Sequence, residues 1–289
     1  MAKLVRIAAG DSICTICPEL GGSLIGWSVA GQDMLRPTSA RAIMSRDPVA
    51  LASFPLVPFS NRIGFAQFDW NGRAIDLEPN IPTEPHAIHG IGWKYRWEIR
   101  DCSSEQCTLS MEHAPDRRWP WAFTATQTIR VTARGLELKL EAKSLSHEAA
   151  PLAFGHHPYF DSQNAQLDFR AARVFMSDAL SLPTFPAVPS GKFDFAGGGK
   201  VMEREIDHCY AGWDGNARIC WDDRPYALDI ISDMPAIVIY IPQAGNSFCV
   251  EPVPHINNAV NRPGDLPAMP IAGWGQTLAN TIRLHAVMR

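Results

Sequence analysis

Short apolar segments rich in Val, Ile, Leu, Thr, Phe and Trp recur along the chain, and Gly, Pro, Asn or Asp separates them. Helical periodicity is scarce. Many short strands divided by turn residues are typical of an all-β sandwich or barrel. At least ten segments fit a strand, namely 13–17, 23–29, 68–70, 97–100, 107–113, 123–131, 136–142, 227–231, 236–241 and 248–250. The sequence therefore predicts an all-β fold with few short helices.

Turn residues refine this prediction. Asn71 and Gly72 both tolerate positive φ and predict a tight hairpin between 68–70 and 73–75, and Gly135 gives a weaker signal of the same kind. Residues 39–52 favour a short helix that Pro48 interrupts. The stretch 182–199, rich in proline and glycine, is interpreted as a surface loop, as filler rather than as a flap over a site.

Length and charge limit the organisation and the partners of the chain. The 289 residues are compatible with one β domain spanning 1–289, because sandwiches often reach this size as one unit. The chain is 46% hydrophobic and carries a net charge of −4 without long runs of one sign. This composition predicts a globular protein and argues against nucleic acid or an anionic membrane as a partner. A small molecule is the expected partner, and the protein is expected to be a monomer or a homodimer.

The N-terminal residues and the cysteines bear on the cellular compartment. Charges interrupt the first residues before an apolar leader can form, and no 18-residue apolar run follows. Seven scattered cysteines favour free thiols in a reduced cytoplasm over a disulfide framework. Cys14 and Cys17 have the spacing of a redox or metal pair. However, side chains three residues apart on a strand point to opposite faces of the sheet, so these two thiols are not expected to meet. We therefore expect neither to be functional.

Two adjacent histidines, His156 and His157, follow an apolar run at 150–154 that we interpret as a buried strand. Pro158 biases His157 toward an extended backbone, so the two imidazoles are expected to point to opposite sides. Only one of them can then face a given pocket. A histidine can exchange a proton near neutral pH, which makes this segment a candidate proton donor.

Three other polar groups stand at strand ends or in loops, where sites on a β scaffold are usually built. Arg62 occurs in an apolar context, where a guanidinium must be paired or bind a ligand oxygen. His89 precedes Gly90, and Trp93 nearby has a face that can stack on a sugar. Glu251 ends an apolar strand, where desolvation should raise its pKa and make it a better base.

Five motifs carry a resemblance when they are taken in order. They are Asn61-Arg62-Ile63-Gly64, His89-Gly90 with Trp93, His157-Pro158-Tyr159-Phe160, Asp207-His208-Cys209-Tyr210 and Phe248-Cys249-Val250-Glu251-Pro252. In order and spacing they resemble the aldose 1-epimerases, or galactose mutarotases. The resemblance spans roughly 60–255, and a weaker match at 18–22 extends it toward the N terminus.

The resemblance implies a large antiparallel β-sandwich, the galactose mutarotase-like supersandwich, and no cofactor or metal. It also implies that His157 is the general acid, Glu251 the general base and His89 a second active-site histidine. Arg62 and Asp207 are implied to bind the sugar, and Asn61 and Trp93 join the expected substrate-binding set. Residues 153–156 read Ala-Phe-Gly-His where galactose-specific members carry a more polar, Asn-containing stretch, so galactose specificity does not follow.

Interconversion of sugar anomers requires one acid and one base. The anomeric hydroxyl loses a proton while the ring oxygen gains one, the ring opens, the bond at the first carbon rotates, and the ring closes on the other face. A histidine with a pKa of about 6.5 would be roughly one-quarter protonated at pH 7, which suits this exchange.

Four alternatives remain. A hexose-6-phosphate 1-epimerase on the same scaffold would need extra cations, for which Arg41, Arg46, Lys94 and Arg96 are near in sequence. A glycosidase usually needs two carboxylates, and the motifs supply one. A sugar-binding or sensor protein would use the pocket for recognition only. A metal enzyme would use His86, His89 and His157 as ligands.

Overall fold

A computed structural model describes residues 3–289, and most of them lie in strands. The first strands are β1 (Val5–Ala9), β2 (Ser12–Cys17), β3 (Ser23–Val29), β4 (Gln32–Asp33), β5 (Pro55–Leu56), β6 (Arg62–Ile63), β7 (Gln67–Trp70), β8 (Arg73–Asp76) and β9 (Ala87–Ile88). The central strands are β10 (Glu98–Cys102), β11 (Gln106–His113), β12 (Phe123–Thr132), β13 (Gly135–Ser144), β14 (Ala150–Pro151), β15 (Gly155–His156), β16 (Tyr159–Asp161) and β17 (Ala165–Ser177). The last are β18 (Pro183–Ala187), β19 (Gly199–Lys200), β20 (Ile206–Trp221), β21 (Tyr226–Ile231), β22 (Ala236–Ile241), β23 (Ser247–Val253), β24 (Ile271–Ala272) and β25 (Thr277–Met288).

Helices are few and short, as the sequence predicts. The α-helix α1 spans Ala40–Ser45, and the 3₁₀ turns span Pro48–Ala50, Gly64–Ala66, Gly92–Lys94, Gly191–Phe193, Val201–Glu203 and Ala259–Asn261. Ser39 caps α1 by accepting a hydrogen bond from the backbone of Ala42. Pro48 then begins the first 3₁₀ turn, so the predicted interruption by proline is confirmed.

The molecule is a β-sandwich built on one large antiparallel sheet. The main path of its 13 strands runs β10-β11-β12-β13-β25-β21-β20-β22-β23-β16, with β17, β18 and β19 paired beside β20. The four N-terminal strands form a second sheet, of which β1 and β2 pack against β12. Because side chains alternate along a strand, one face of the large sheet is buried against the second sheet and its loops.

A polar bridge links these layers in the core. Gln127 on β12 donates to the carbonyl of Gly22 and contacts the Nε2 atom of His156 through its own oxygen at 3.0 Å. His156 is therefore a satisfied core histidine. The predicted strand over 150–154 is confirmed only at Ala150–Pro151, although all five residues are buried.

All ten predicted strand segments are strands in the structure, within one to three residues at their ends. The hairpin at Asn71 and Gly72 is also confirmed, with positive φ at both residues between β7 and β8. The interpretation of 182–199 as a loop is wrong in part, because 183–187 pair with β17 and 199–200 pair with it further along. Two prolines in β18 suppress a strand signal in the sequence, but this strand lies at an edge, where proline is tolerated.

The cysteines correct one expectation. Cys102 and Cys107 form a disulfide, because the turn between β10 and β11 places them directly opposite each other with Cα atoms 4.2 Å apart. The other five thiols are free. Cys14 and Cys17 are both buried and belong to different hydrophobic clusters, as expected of side chains that face opposite ways. Within residues 3–289, no helix is long and apolar enough to cross a membrane.

Candidate active site

A cavity of about 810 Å³ opens over the end of the large sheet. One wall of this cavity follows from strand register. Asp207 on β20 pairs with Tyr240 on β22, while Val238, two residues back on β22, pairs with Glu251 on β23. Residues two apart on a strand, and residues paired across strands, share a face. These four side chains therefore line one wall of the cavity side by side.

The opposite wall comes from the short ribbon of β6 and β9, in which Arg62 pairs with Ile88. Asn61 and His89 flank this pair, and both have a left-handed backbone with φ of 54° and 59°. Such conformations are uncommon outside glycine and often occur at functional sites. Here they turn both side chains toward the cavity that Arg62 also lines.

One hydrogen bond fixes the tautomer of His89. The backbone N–H of Asn61 donates to its Nδ1 atom at 3.1 Å, so Nδ1 carries no proton. Burial, together with the charges of His157 and Arg62, lowers the pKa of His89 well below its usual value. The neutral ring therefore carries its proton on Nε2 and presents a hydrogen-bond donor.

His157 lies at the bottom of the cavity, on the side of the backbone opposite to His156, as predicted. Its backbone N–H donates to Phe54 at 2.9 Å, and its ring packs against those of Phe54 and Tyr159 at centroid distances of 4.7 and 4.8 Å. The His89 ring stands nearly perpendicular to it at 5.0 Å. These contacts fix the orientation of the imidazole.

His157 and Glu251 form a buried pair, with 3.4 Å between Nε2 and Oε1 and with 6% and 1% of their surface exposed. Burial lowers the pKa of His157 to about 3, and the charge of Arg36 acts in the same direction. Burial raises the pKa of Glu251 well above its usual value, as the sequence predicts, and Asp207 adds to this shift. The expectation that His157 is partly charged at pH 7 is therefore wrong. The pair is neutral and holds one proton.

Arg62 is the centre of a charged cluster on the cavity wall. Its Nη1 atom donates to Asp207 at 3.0 Å, and Nε lies 3.9 Å from a carboxylate oxygen of Glu84. The Nε atom is buried and has no hydrogen-bond partner within residues 3–289. Because an unsatisfied buried donor is costly, this atom is available to a ligand oxygen.

Six of the seven expected site residues line the cavity, namely Asn61, Arg62, His89, His157, Asp207 and Glu251. Trp93 does not line it. Its indole is 2% exposed, donates to the carbonyl of Gly90 and stacks behind Phe54 at 5.4 Å. The ring that faces the cavity at this place is Phe54, so the expected sugar contact by Trp93 is corrected.

His86 is also remote from the cavity. It is fully buried, accepts a hydrogen bond from the backbone of Phe65 and contacts the carbonyl of Leu180. It therefore cannot join His89 and His157 as a metal ligand. A different set, His157, Cys249 and Glu251, places one donor atom each within 4.8 Å. Burial raises the pKa of Cys249 and of Glu251, so a metal ion there would have to displace two protons.

Sequence reasoning missed many of the residues that line the cavity, among them Arg36, Phe54, Tyr159 and Tyr240. Phe54 and Arg36 stand in stretches that carry no motif. Tyr159 lies within the quoted histidine motif, where alternation after His157 would have placed it on the same side. Tyr240 was detectable as the polar-tipped residue in an otherwise apolar predicted strand.

Solved structures show which class of architecture this is. A provisional aldose 1-epimerase of Escherichia coli K12 matches with a TM-score of 0.91 at 24% identity, and the match covers 100% of both chains. A galactose mutarotase-like protein of Clostridium acetobutylicum matches with a TM-score of 0.88 at 18% identity, over 100% of this chain and 96% of the other. The fold is therefore that of the galactose mutarotase-like β-sandwiches.

Sequence comparisons identify the family. The aldose 1-epimerase profile matches residues 3–272, and the chain belongs to this family. The uncharacterized protein YphB of E. coli K12 is 28% identical over 264 residues, which is 87% of this chain and 89% of the relative. An aldose 1-epimerase of Haemophilus influenzae is 30% identical over 111 residues, or 37% of this chain and 32% of that protein.

Proposed function

We propose that the protein is an aldose 1-epimerase that interconverts the α and β anomers of an aldose by acid and base catalysis. The observation that supports this most is the buried pair of His157 and Glu251, with its side chains 3.4 Å apart at the bottom of a polar cavity. Such a pair holds one proton to give and one site to accept a proton, which is what ring opening requires.

In ring opening, Glu251 takes the proton of the anomeric hydroxyl and His157 gives a proton to the ring oxygen. The bond between the anomeric carbon and the ring oxygen breaks, a carbonyl forms, and no net proton is gained or lost. The step ends with the proton on Glu251 and a neutral His157. Their pKa shifts favour this same state in the free protein, so opening begins with proton transfer within the pair. Reclosure on the other face reverses each transfer.

The remaining polar groups orient the sugar. The free Nε of Arg62 and the carboxylate of Asp207 offer a donor and an acceptor to neighbouring hydroxyls. The Nε2–H of His89 is a neutral donor beside His157, suited to the oxygen that gains negative charge as the hydroxyl is deprotonated. Tyr240 lies beside Asp207 on the sheet face.

The four cations that the sequence offered as partners for the phosphate of a hexose 6-phosphate do not lie in the cavity. Arg41, Arg46, Lys94 and Arg96 are absent from the residues that line the cavity. A protein that only binds sugar would have no need of the paired acid and base, whereas an epimerase requires both.

Polarimetry of freshly dissolved α-glucose, α-galactose and α-xylose tests this function. We expect faster mutarotation with the wild-type protein and a loss of about 10² to 10⁴ in rate in His157→Asn or Glu251→Gln, because each removes one proton carrier. His147→Asn, at an exposed histidine outside the cavity, is the matched control and should retain the wild-type rate. A near-normal rate in either cavity variant would remove that residue from the mechanism. Calorimetric binding of sugar without acceleration would favour the binding protein.

A further inference from the structure

Charges are distributed unevenly around the cavity. At one end the cation Arg62 is paired with Asp207 and lies near Glu84. Asp161, at the other end, is neutralised by an ion pair with Arg224. Arg36 also lines that end, and within residues 3–289 the structure records no ion pair for it. Of the two arginines that line the cavity, Arg36 is therefore the one without an ion pair among the described residues.

The contacts of Arg36 hold its guanidinium in place without neutralising it. Nη1 donates to the hydroxyl of Ser247 at 3.0 Å, and Nη2 donates to the carbonyls of Val49 and Leu51 at 2.9 and 2.6 Å. The group also lies over the ring of Tyr159 at 3.8 Å. All these partners are neutral. Burial lowers the pKa of Arg36, and the charge of Asp47 opposes this shift without forming an ion pair with it.

Arg36 retains donors that could bind a ligand. A guanidinium has five N–H groups, and the three recorded hydrogen bonds leave Nε and one hydrogen of Nη1 available. A guanidinium held in a fixed orientation is the preferred protein partner of planar or tetrahedral oxyanions. Because its orientation is already fixed, an anion would bind with little further loss of side-chain entropy.

The position of Arg36 indicates which part of the sugar reaches it. The ring of Tyr159 packs against His157, and the guanidinium of Arg36 lies over the same tyrosine ring. Arg36 is therefore separated from the proposed acid by the ring of Tyr159. His157 protonates the ring oxygen in the proposed mechanism. The exocyclic carbon of an aldohexose is attached beside that oxygen, on the side away from the anomeric carbon. In a pose with the ring oxygen at His157 and the sugar ring directed along Tyr159, a group on the exocyclic carbon would extend toward Arg36.

We propose that Arg36 recognises an anionic oxyacid group on the exocyclic carbon of the sugar, so that acidic aldoses are preferred over neutral ones. This inference rests on the proposed epimerase function. A carboxylate matches the single unpaired cation best, and a phosphate ester offers the same oxyanion chemistry.

Mutarotation of glucose, glucuronate and glucose 6-phosphate, measured at low and high ionic strength, tests the proposal with the wild-type protein alone. We expect kcat/KM for one of the two acids to exceed that for glucose by about tenfold or more, since a charged hydrogen bond is worth that much. The preference should shrink when salt is added. Which acid responds distinguishes a carboxylate from a phosphate ester.

Arg36→Gln should lower the ratio of kcat/KM between the preferred acid and glucose by about tenfold or more. A purely structural role for Arg36 would lower both values and leave their ratio unchanged. Arg262→Gln is the matched control, because Arg262 also donates to two backbone carbonyls but lies outside the cavity, and it should keep the wild-type ratio.

Two outcomes separate this proposal from the function on which it rests. Acceleration of glucose without any gain for either acid would overturn the role of Arg36 and leave the epimerase intact. A protein that accelerates none of the three sugars would overturn both. If Arg36→Gln does not fold, the wild-type preference and its dependence on salt still decide the question.

Discussion

At the residue scale, His157 and Glu251 show how burial sets protonation. Alone, a histidine near pH 7 is partly charged and a glutamate is ionised. In the cavity, desolvation lowers the pKa of His157 to about 3 and raises the pKa of Glu251 well above its usual value. The two pKa values are shifted in opposite directions. The His157–Glu251 pair therefore holds one shared proton over a wider pH range than a free histidine and a free glutamate would.

This predicts a flat pH profile on the acid side of neutrality. Between pH 7 and 5.5 we expect kcat/KM to change less than about twofold, because neither member of the pair titrates there. Other ionisable groups line the cavity around the pair, namely Arg36, Arg62, Glu84, His89, Asp207 and Tyr240, and Tyr159 and Cys249 lie against the pair itself. Burial lowers the pKa of His89 and raises the pKa of Tyr159 and Cys249, so these three stay neutral in this window.

Polarimetry over this pH range, with circular dichroism at each pH to confirm folding, checks the prediction. A histidine with an ordinary pKa of about 6.5 would instead lose about nine-tenths of its neutral form by pH 5.5. A fall of about tenfold in kcat/KM would therefore show that His157 takes up a second proton while Glu251 stays protonated. A rise of several-fold would show that both groups titrate normally, because the charged pair is then more populated at pH 5.5 than at pH 7.

At the element scale, the site depends on strand register and on one short ribbon. The ribbon of β6 and β9 is followed by Gly90, which has φ of +63°. A Cβ atom on this glycine would lie 2.3 Å from the carbonyl oxygen of Val57 and 2.6 Å from the ring of Pro58. Only glycine therefore permits the close approach that holds His89 at the cavity.

Gly90→Ala should consequently destabilise the fold and disturb the site. We expect a loss of about 1–2 kcal/mol from the left-handed backbone, plus about 1–3 kcal/mol from the clash. Gly31→Ala is the matched control, because Gly31 also has positive φ but a Cβ atom there meets nothing within 4 Å.

Urea unfolding and sugar turnover of the two variants measure the difference. Gly90→Ala should lose more stability than Gly31→Ala, and only the former should lower kcat/KM through His89. Equal stability losses would mean that the loop around Gly90 adapts to a side chain without cost.

The sequence predicts individual elements better than it predicts how they meet. The ten predicted strands have clear β-type composition and alternation, so local signals suffice to find them. The long strands β17 and β20 were missed, because charged residues such as Arg173 and glycines such as Gly212 and Gly215 interrupt the pattern. Tertiary pairing overrides those weak local preferences.

The same limit applies to the site. Motifs predicted six residues that line the cavity, but the placement of Trp93 behind Phe54 depends on packing between loops that are distant in the sequence. The register of β22 with β20 and β23, which brings Asp207, Tyr240 and Glu251 to one face, is likewise set by long-range pairing. The disulfide of Cys102 and Cys107 needed the turn between their strands to be known.

At the scale of the whole molecule, buried histidines link stability to pH. Burial lowers the pKa of His156 and His157 to about 3 and that of His255 to about 4. In the unfolded chain each would titrate at about 6.5. Between these values the unfolded state binds more protons than the folded state, so the stability that is fully present above pH 6.5 is lost as the pH falls.

Two other site residues act in opposite directions in this balance. Glu251, with a raised pKa, binds its proton more tightly when folded and opposes the loss, while His89, with a lowered pKa, adds to it. Three histidines at about 1.4 kcal/mol per pH unit each then give a slope of about 4 kcal/mol per pH unit. Domains are stable by about 5–15 kcal/mol and the slope develops fully only about one unit below pH 6.5, so acid unfolding is expected below about pH 5.

Urea unfolding at half-unit steps from pH 7 to 5 measures this slope directly. His156→Gln should reduce the slope by about 1.4 kcal/mol per pH unit, because it removes one proton that only the unfolded state binds. Any loss of stability from breaking the contact with Gln127 would shift all points equally and leave the slope readable. A free energy of unfolding that stays constant from pH 6.5 to 5 would show that these histidines are protonated in the folded protein, and the neutral acid and base pair would then have to be abandoned as well.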